Sequence, residues 1–272
     1  MLNPLEGCLL GISIVVPMCN ERDSIGQLRA KLEALQKRLS SRYKVEYVLV
    51  DDGSTDGTGE LMSGAVPDGC ACICVRHREN LGIGAAFRSG FRRATGDVVC
   101  TIDADCSYAP EELSTLIEMV VEGKSDIAVA SPYHPKGSVV GVEPWRLFLS
   151  TQCSFLYRQA SRLKLYTYTS ICRAYRREIV RELPIRSNGF VSAVEILLAA
   201  YESGYSIGEV PAVLNARRHG YSKMRIARTV KAHVLMLLRA ARMRVSDSIR
   251  AFGITGRRKR MHESEGPVIC RR

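Results

Sequence analysis

Two aspartates one residue apart, Asp103 and Asp105, follow the apolar run Val98-Val99-Cys100-Thr101-Ile102. A run of that length and composition suits a strand buried on both faces. Residues two apart on a strand share a face, so both carboxylates converge just past the strand's end. Two anionic oxygen donors at a sheet edge suit a hard divalent cation, Mg2+ or Mn2+, which commonly bridges protein carboxylates to a substrate's phosphates. An isolated Asp-x-Asp is as readily a solvated acidic loop, so the context has to decide. Three more polar clusters each follow a β-branched run: Pro17, Asn20 and Glu21; Asp51-Asp52-Gly53-Ser54; and Asn80-x-Gly82-x-Gly84.

The elements that position these clusters alternate. Strands are expected over Gly11 to Val16, Tyr47 to Val50, Ala71 to Val75, Val98 to Asp103 and Ile127 to Ala130, with amphipathic helices between them. Alternation with short connections implies an α/β fold, a Rossmann-like, mostly parallel sheet with helices on both faces. Ligands bind such sheets at the C-terminal edge of the strands, which is where all four clusters fall. The second half is less regular. Helices are expected over Pro144 to Lys164 and Val191 to Tyr201. Extended segments are expected over Ile171 to Tyr175, Ile207 to Val210 and Val213 to Ala216.

The net charge of +11 is concentrated late in the chain. From Arg217 onward 16 Lys/Arg face three Asp/Glu, leaving 23 against 25 before it. The basicity therefore describes the tail's surroundings, and Arg257-Arg258-Lys259-Arg260 lacks the interleaved aromatics of a nucleic-acid binder. No nucleic-acid partner is expected. From Arg225 to about Phe252 apolar residues recur at helical spacing, with arginines on other faces. This C-terminal amphipathic helix, with the basic tail, makes a second unit over 225–272 after a catalytic domain over 1–224. Ten cysteines show no C-x-x-C pair, which favours thiols in a reduced, cytoplasmic setting. No secretory signal and no apolar run of membrane-spanning length are seen, so a soluble or peripheral protein is expected.

Among phosphate-binding chemistries, a dinucleotide fingerprint fails because Phe87 stands at the third glycine's place, and no G-x-x-x-x-G-K-S/T loop occurs. The ordered set V-V-P-x-x-N-E, V-D-D-G-S-T-D-G-T, N-x-G-x-G-A and D-A-D-x-x-x-x-P-E-E resembles family 2 glycosyltransferases of the GT-A fold. Within them it resembles the polyprenyl-phosphate (dolichyl-phosphate) sugar transferases. Thr169-Ser170-x-x-Arg173-Ala174-Tyr175 and Arg217-x-x-Gly220-x-Ser222-Lys223 extend the resemblance over roughly residues 11 to 230. It implies a nucleoside-diphosphate sugar donor, GDP- or UDP-linked, bordered by Pro17, Asn20, Glu21, Asp51, Asp52, Asn80, Gly84 and Asp103. It implies a metal at Asp103 and Asp105, with Ser107 standing where a glutamine ligand is usual. It also implies a lipid-phosphate acceptor held by Arg146, Ser150, Arg217, Ser222 and Lys223, with peripheral membrane contact or a membrane subunit. Asp103, Asp105, Arg146, Arg217 and Lys223 are then the catalytic set. Cys19 stands for an aromatic and Pro132 for an arginine. A phosphate acceptor needs cations and no general base. A hydroxyl acceptor needs a base, for which Glu195 is the spare carboxylate.

Overall fold

The structure is a computed structural model and describes residues 9–217 and 229–242. Strand β1 (Leu10–Met18) is almost entirely buried, as its β-branched run requires. It pairs in parallel with β2 (Tyr43–Asp51), which pairs in parallel with β3 (Ala71–Arg76). Between β1 and β2 runs α1 (Ile25–Leu39), whose Leu28, Leu32, Leu35 and Leu39 recur at three- and four-residue spacing and are buried. Each such leucine contributes about 1.5–3 kcal/mol of burial. Helices α2 (Thr58–Leu61) and α3 (Ile83–Arg93) follow β2 and β3. Strand β4 (Val98–Thr101) then pairs in parallel with β1. It ends two residues short of the expected Asp103, so Asp103 and Asp105 lie on the loop beyond it.

After α4 (Leu113–Val121) comes β5 (Ile127–Ser131), and the topology departs from simple alternation. The next strand in space beside β4 is β7 (Arg173–Arg176), antiparallel to both β4 and β5. Strand β8 (Ile207–Pro211) pairs in parallel with the outer side of β5. The described residues thus form a seven-stranded sheet in the order β3-β2-β1-β4-β7-β5-β8. It is mostly parallel, as expected, with one antiparallel strand at an interior position. A separate parallel pair, β6 (Ser138–Val140) with β9 (Val213–Asn215), lies outside it.

Two apolar layers cover the sheet. One joins α1 and α4 to Ile12, Ile14, Leu49 and Cys100. The other joins Phe87 and Phe91 of α3 to α5 (Pro144–Ala160) and α7 (Ser192–Glu202). The short α6 (Arg177–Glu182) continues from β7. Residues 229–242 are helical and form α8. Its Met236 and Ala240 are buried in the second layer, and His233 Nδ1 lies 3.0 Å from the Tyr157 hydroxyl of α5. The expected unit boundary at 224/225 falls outside the described residues, as do Arg225, Arg228 and the basic end. What is described beyond it packs on the domain through one face. Val230, Val234, Leu235 and Leu238 of the other face are exposed. The eight cysteines described are free thiols.

Candidate active site

A cleft of about 740 Å³ opens at the C-terminal edge of β1, β2 and β4. Of the residues expected at the site, Pro17, Glu21, Asp52, Asn80, Asp103, Asp105 and Arg217 line it. They come from five separate chain segments, which follow β1, β2, β3, β4 and β9.

Asp105 is buried and held in one orientation. Its Oδ1 accepts hydrogen bonds from the Ser107 backbone N–H at 2.8 Å and the Ser107 hydroxyl at 2.7 Å. Ser107, expected at a ligand position, orients this carboxylate. Asp105 Oδ2 receives the Arg217 Nε–H at 2.6 Å, and Arg217 Nη1 also lies 3.2 Å from Glu21 Oε1. Arg217 arrives there because β9 is pinned to the Asp105 loop, with Asn215 N–H donating to Ser107 O at 2.8 Å and Tyr108 bridging Leu214. Burial pushes the Asp103 carboxyl well above the usual range, and the Asp105 and Glu21 carboxylates add to it. Arg217 opposes them. Three carboxylates around one guanidinium make a site rich in hard oxygen donors.

That donor set fits a divalent cation of the Mg2+ or Mn2+ class. Among the described residues no group of three or more Asp, Glu, His and Cys side chains forms a complete cage. A Mg2+ site commonly uses one or two carboxylates and completes its shell with substrate phosphates and water. Asp103 and Asp105 meet that requirement.

Other expected residues brace the cleft from behind. Asp51 and Asp52 are adjacent at the end of β2 and point to opposite sides. Asp52 lines the cleft, whereas Asp51 accepts from Ser54 N–H at 3.0 Å and pairs with Arg76 at 3.4 Å. Asn20 adopts a left-handed φ of 51°, which asparagine tolerates better than most residues. It ties the two loops together: its N–H donates to Ser54 Oγ at 2.8 Å and its Oδ1 accepts from Thr55 N–H at 2.7 Å. Gly84 lies outside the lining and is required by close approach. Its N–H donates to Asn188 O at 2.8 Å, and an added Cβ would run into the Ser187 carbonyl and stand 2.9 Å from Ser192 Cβ. Gly84→Ala is therefore expected to cost about 1–3 kcal/mol by overpacking. It should also push residues 187–189 into the cleft and weaken nucleotide binding. Thermal unfolding and calorimetry with UDP and GDP check both effects.

The acceptor-side residues are divided. Arg146 lies outside the lining, its guanidinium 5.1 Å over the Trp145 ring, and Ser150 Oγ is 2.7 Å from Thr169 Oγ1. Ser222 and Lys223 lie outside the described residues. Glu195 is buried, and its Oε2 accepts from Ser187 N–H at 2.8 Å and Arg186 N–H at 3.2 Å. It anchors the loop that forms the far wall. That wall, Ser187 to Val191, and Thr229 and Ala232 of α8 were not expected from sequence. Asn188-Gly189 marks a turn there, but nothing in its composition signals a ligand.

Comparison with known proteins agrees with this geometry. Polyprenol monophosphomannose synthase of Mycolicibacterium smegmatis is 34% identical over 222 residues, 78% of this chain and 80% of that one. Undecaprenyl-phosphate 4-deoxy-4-formamido-L-arabinose transferase of Pseudomonas paraeruginosa is 33% identical over 190 residues, 66% of this chain and 54% of that protein's length. Glucosyl-3-phosphoglycerate synthase of Mycobacterium tuberculosis, crystallised with Mn2+, uridine diphosphate and phosphoglyceric acid, shares the fold. The TM-score is 0.61 at 21% identity, over 84% of this chain and 78% of that one. Glycosyl transferase family 2 is matched over residues 13–184. The four carboxylates that line the cleft, Glu21, Asp52, Asp103 and Asp105, fall within the matched segment, and the chain belongs to glycosyl transferase family 2 and is a glycosyltransferase.

Proposed function

We propose that the protein is a metal-dependent, inverting transferase that moves a sugar from a GDP- or UDP-linked donor to a polyprenyl phosphate. The observation that carries the acceptor assignment is the engagement of Glu195. An inverting transfer to a sugar hydroxyl needs a base at the reacting oxygen. Glu195, the spare carboxylate for that work, is instead buried under the 186–187 backbone, and it is absent from the cleft lining. A phosphate oxygen is already ionised and asks only for positioning and positive charge. The names of the two relatives, one a polyprenol and one an undecaprenyl-phosphate enzyme, support the same acceptor class.

In this reading Asp52 and Glu21 hold the nucleoside, and Asp103 and Asp105 hold the cation. The cation supplies charge neutralisation to the departing diphosphate. Arg217, paired with Asp105 and Glu21, supplies positive charge in the cleft for a phosphate group. The test is a panel of UDP- and GDP-sugars, each incubated with Mn2+ or Mg2+, with and without polyprenyl phosphate. Sugar transfer to the lipid supports the proposal. Transfer only to water-soluble hydroxyl acceptors overturns it.

A lipid acceptor requires the cleft to reach a membrane surface, on its cytoplasmic face in this reading. No helix among the described residues is long and apolar enough to cross one. Exposed Trp145, Phe148, Phe155 and Leu156 follow one face of α5, and exposed Val230, Val234 and Leu238 lie on α8 beside it. The two helices meet at Tyr157 and His233 on their inner sides, and Lys231 and Arg242 are also on α8. Such a surface suits interfacial binding, with basic residues near an anionic surface contributing about 1 kcal/mol each. Phe148→Glu with Leu238→Glu should abolish co-sedimentation with anionic vesicles and leave the fold intact by circular dichroism. Unchanged vesicle binding would remove these helices from the membrane contact.

A further inference from the structure

The cleft face of Asp52 is backed by a chain of side chains that the glycosyltransferase motifs do not include. Asp52 Oδ1 accepts from Leu81 N–H at 3.0 Å and lies 2.7 Å from His77 Nδ1, and Oδ2 accepts from Gly82 N–H at 2.7 Å. A carboxylate offers about four acceptor positions. Three are filled from the protein, which leaves one on Oδ2. His77 Nε2 lies 2.8 Å from Ser89 Oγ, on the buried side of α3, and Arg92 Nη2 donates to that hydroxyl at 3.4 Å. The His77 backbone is fixed as well, its N–H donating to Asp51 O at 2.9 Å.

Proton bookkeeping fixes the direction of this chain. A carboxylate only accepts, so His77 Nδ1 carries a hydrogen toward Asp52. In the neutral imidazole Nε2 is then an acceptor and receives the Ser89 hydroxyl hydrogen. Ser89 in turn accepts from Arg92. Every donor points one way, from α3 through His77 to the cleft, and hydrogen bonds aligned in this way reinforce one another. The order of groups is that of a serine–histidine–aspartate nucleophile, but the working end is reversed. Ser89 is buried and absent from the cleft lining, while Asp52 faces it.

We propose that His77 and Ser89 are positioning residues that hold Asp52 to accept one hydrogen bond from the donor nucleotide, from a base N–H or a ribose hydroxyl. The inference rests on the nucleotide-sugar reading above. The experiment measures binding of UDP and of GDP, with Mn2+, to the full chain and to three variants. His77→Ala removes the Nδ1–H donor, and nucleotide binding should weaken about tenfold or more, the scale of a hydrogen bond to a charged group. His77→Asn places an amide N–H near the position of Nδ1 and should recover most of that loss. Ser89→Ala should weaken binding less than His77→Ala does. A residue that merely packed β3 against α3 would not be rescued by asparagine. Equal weakening in His77→Ala and His77→Asn, or none in either, overturns the proposal.

A nucleotide-free readout separates this proposal from the donor reading. ¹⁵N spectra of the neutral imidazole should show His77 as a single Nδ1–H tautomer, which becomes mixed in Ser89→Ala. An Nε2–H tautomer in the wild type overturns the relay. Wild-type protein that binds neither nucleotide but shows the fixed Nδ1–H form would remove the donor reading and leave the relay standing.

Discussion

Asp105→Asn is expected to lower sugar transfer by about 10²–10³-fold, the range seen when one charge-stabilising group is removed from an active site, while the fold survives. The geometry leaves the amide no good orientation. With its oxygen toward Ser107 it keeps both hydrogen bonds there, but its NH2 then faces the Arg217 Nε–H, donor against donor across what is now a 2.6 Å contact. Turned over, it accepts from Arg217 and sets its NH2 against the Ser107 backbone N–H. Either way the site loses a negative oxygen that the cation would use. Removing one of three crowded carboxylates offsets part of the lost ion pair, so stability should change by about 1 kcal/mol or less. Turnover, Mn2+ binding by electron paramagnetic resonance and thermal unfolding measure the three effects. Wild-type turnover in this variant would end the metal-site assignment.

Arg217→Ala should be of comparable size in transfer, about 10²-fold or more, with nucleotide binding in Mn2+ still measurable and the apparent affinity for polyprenyl phosphate reduced. The arginine bridges Asp105 and Glu21, so the structure places it on the carboxylates of the cleft. Complete loss of nucleotide binding would assign it to the diphosphate rather than to the acceptor. The variant carries a second signature. Burial and the neighbouring carboxylates already raise the Asp103 carboxyl, with Arg217 as the opposing influence. Without that influence the folded chain should hold a proton on Asp103 to still higher pH, while the unfolded chain releases it near the ordinary value of 3.8. Between those two points the folded state binds more protons than the unfolded one, so stability falls as pH rises. Urea unfolding from about pH 4 to pH 7 should therefore fall more steeply in Arg217→Ala than in the wild type.

The first half of the chain was legible because each strand there is an apolar run closed by polar residues, and the sheet converts that order into a common edge. The alternation of side chains also held unused information. Asp51 and Asp52 are neighbours at a strand end, so only one of them can face the cleft. It is Asp52, and Asp51 braces the loop against Arg76. The interior place of β7 was hidden for a different reason. An extended segment is expected over Ile171 to Tyr175, but Arg-Ala-Tyr-Arg is four residues long with charge at both ends, which does not signal an interior place in a sheet. Its Arg173 is fully buried, and its guanidinium is received by the carbonyls of Ala193 and Tyr168. The helix expected over Pro144 to Lys164 is found as α5, and Arg146 and Ser150, four apart, share a face of it. Spacing does not say which way a helix is turned, and the lining of the cleft does not include them.

The position of β7 also governs the order in which the sheet can be completed. Strands β1 to β4 pair only among themselves until residue 173 is available. By contrast β5, finished by residue 131, has β7 and β8 as its partners, and both lie at least 40 residues further on. On a growing chain the half built from β1 to β4 can assemble early. The strand Ile127–Ser131, apolar over most of its length, must wait with both edges open. Long-range pairing of this kind is slow and exposes strand edges to association. The segment from β5 to β7 is thus the stretch where synthesis rate and chaperone capture should matter most for the yield of folded protein.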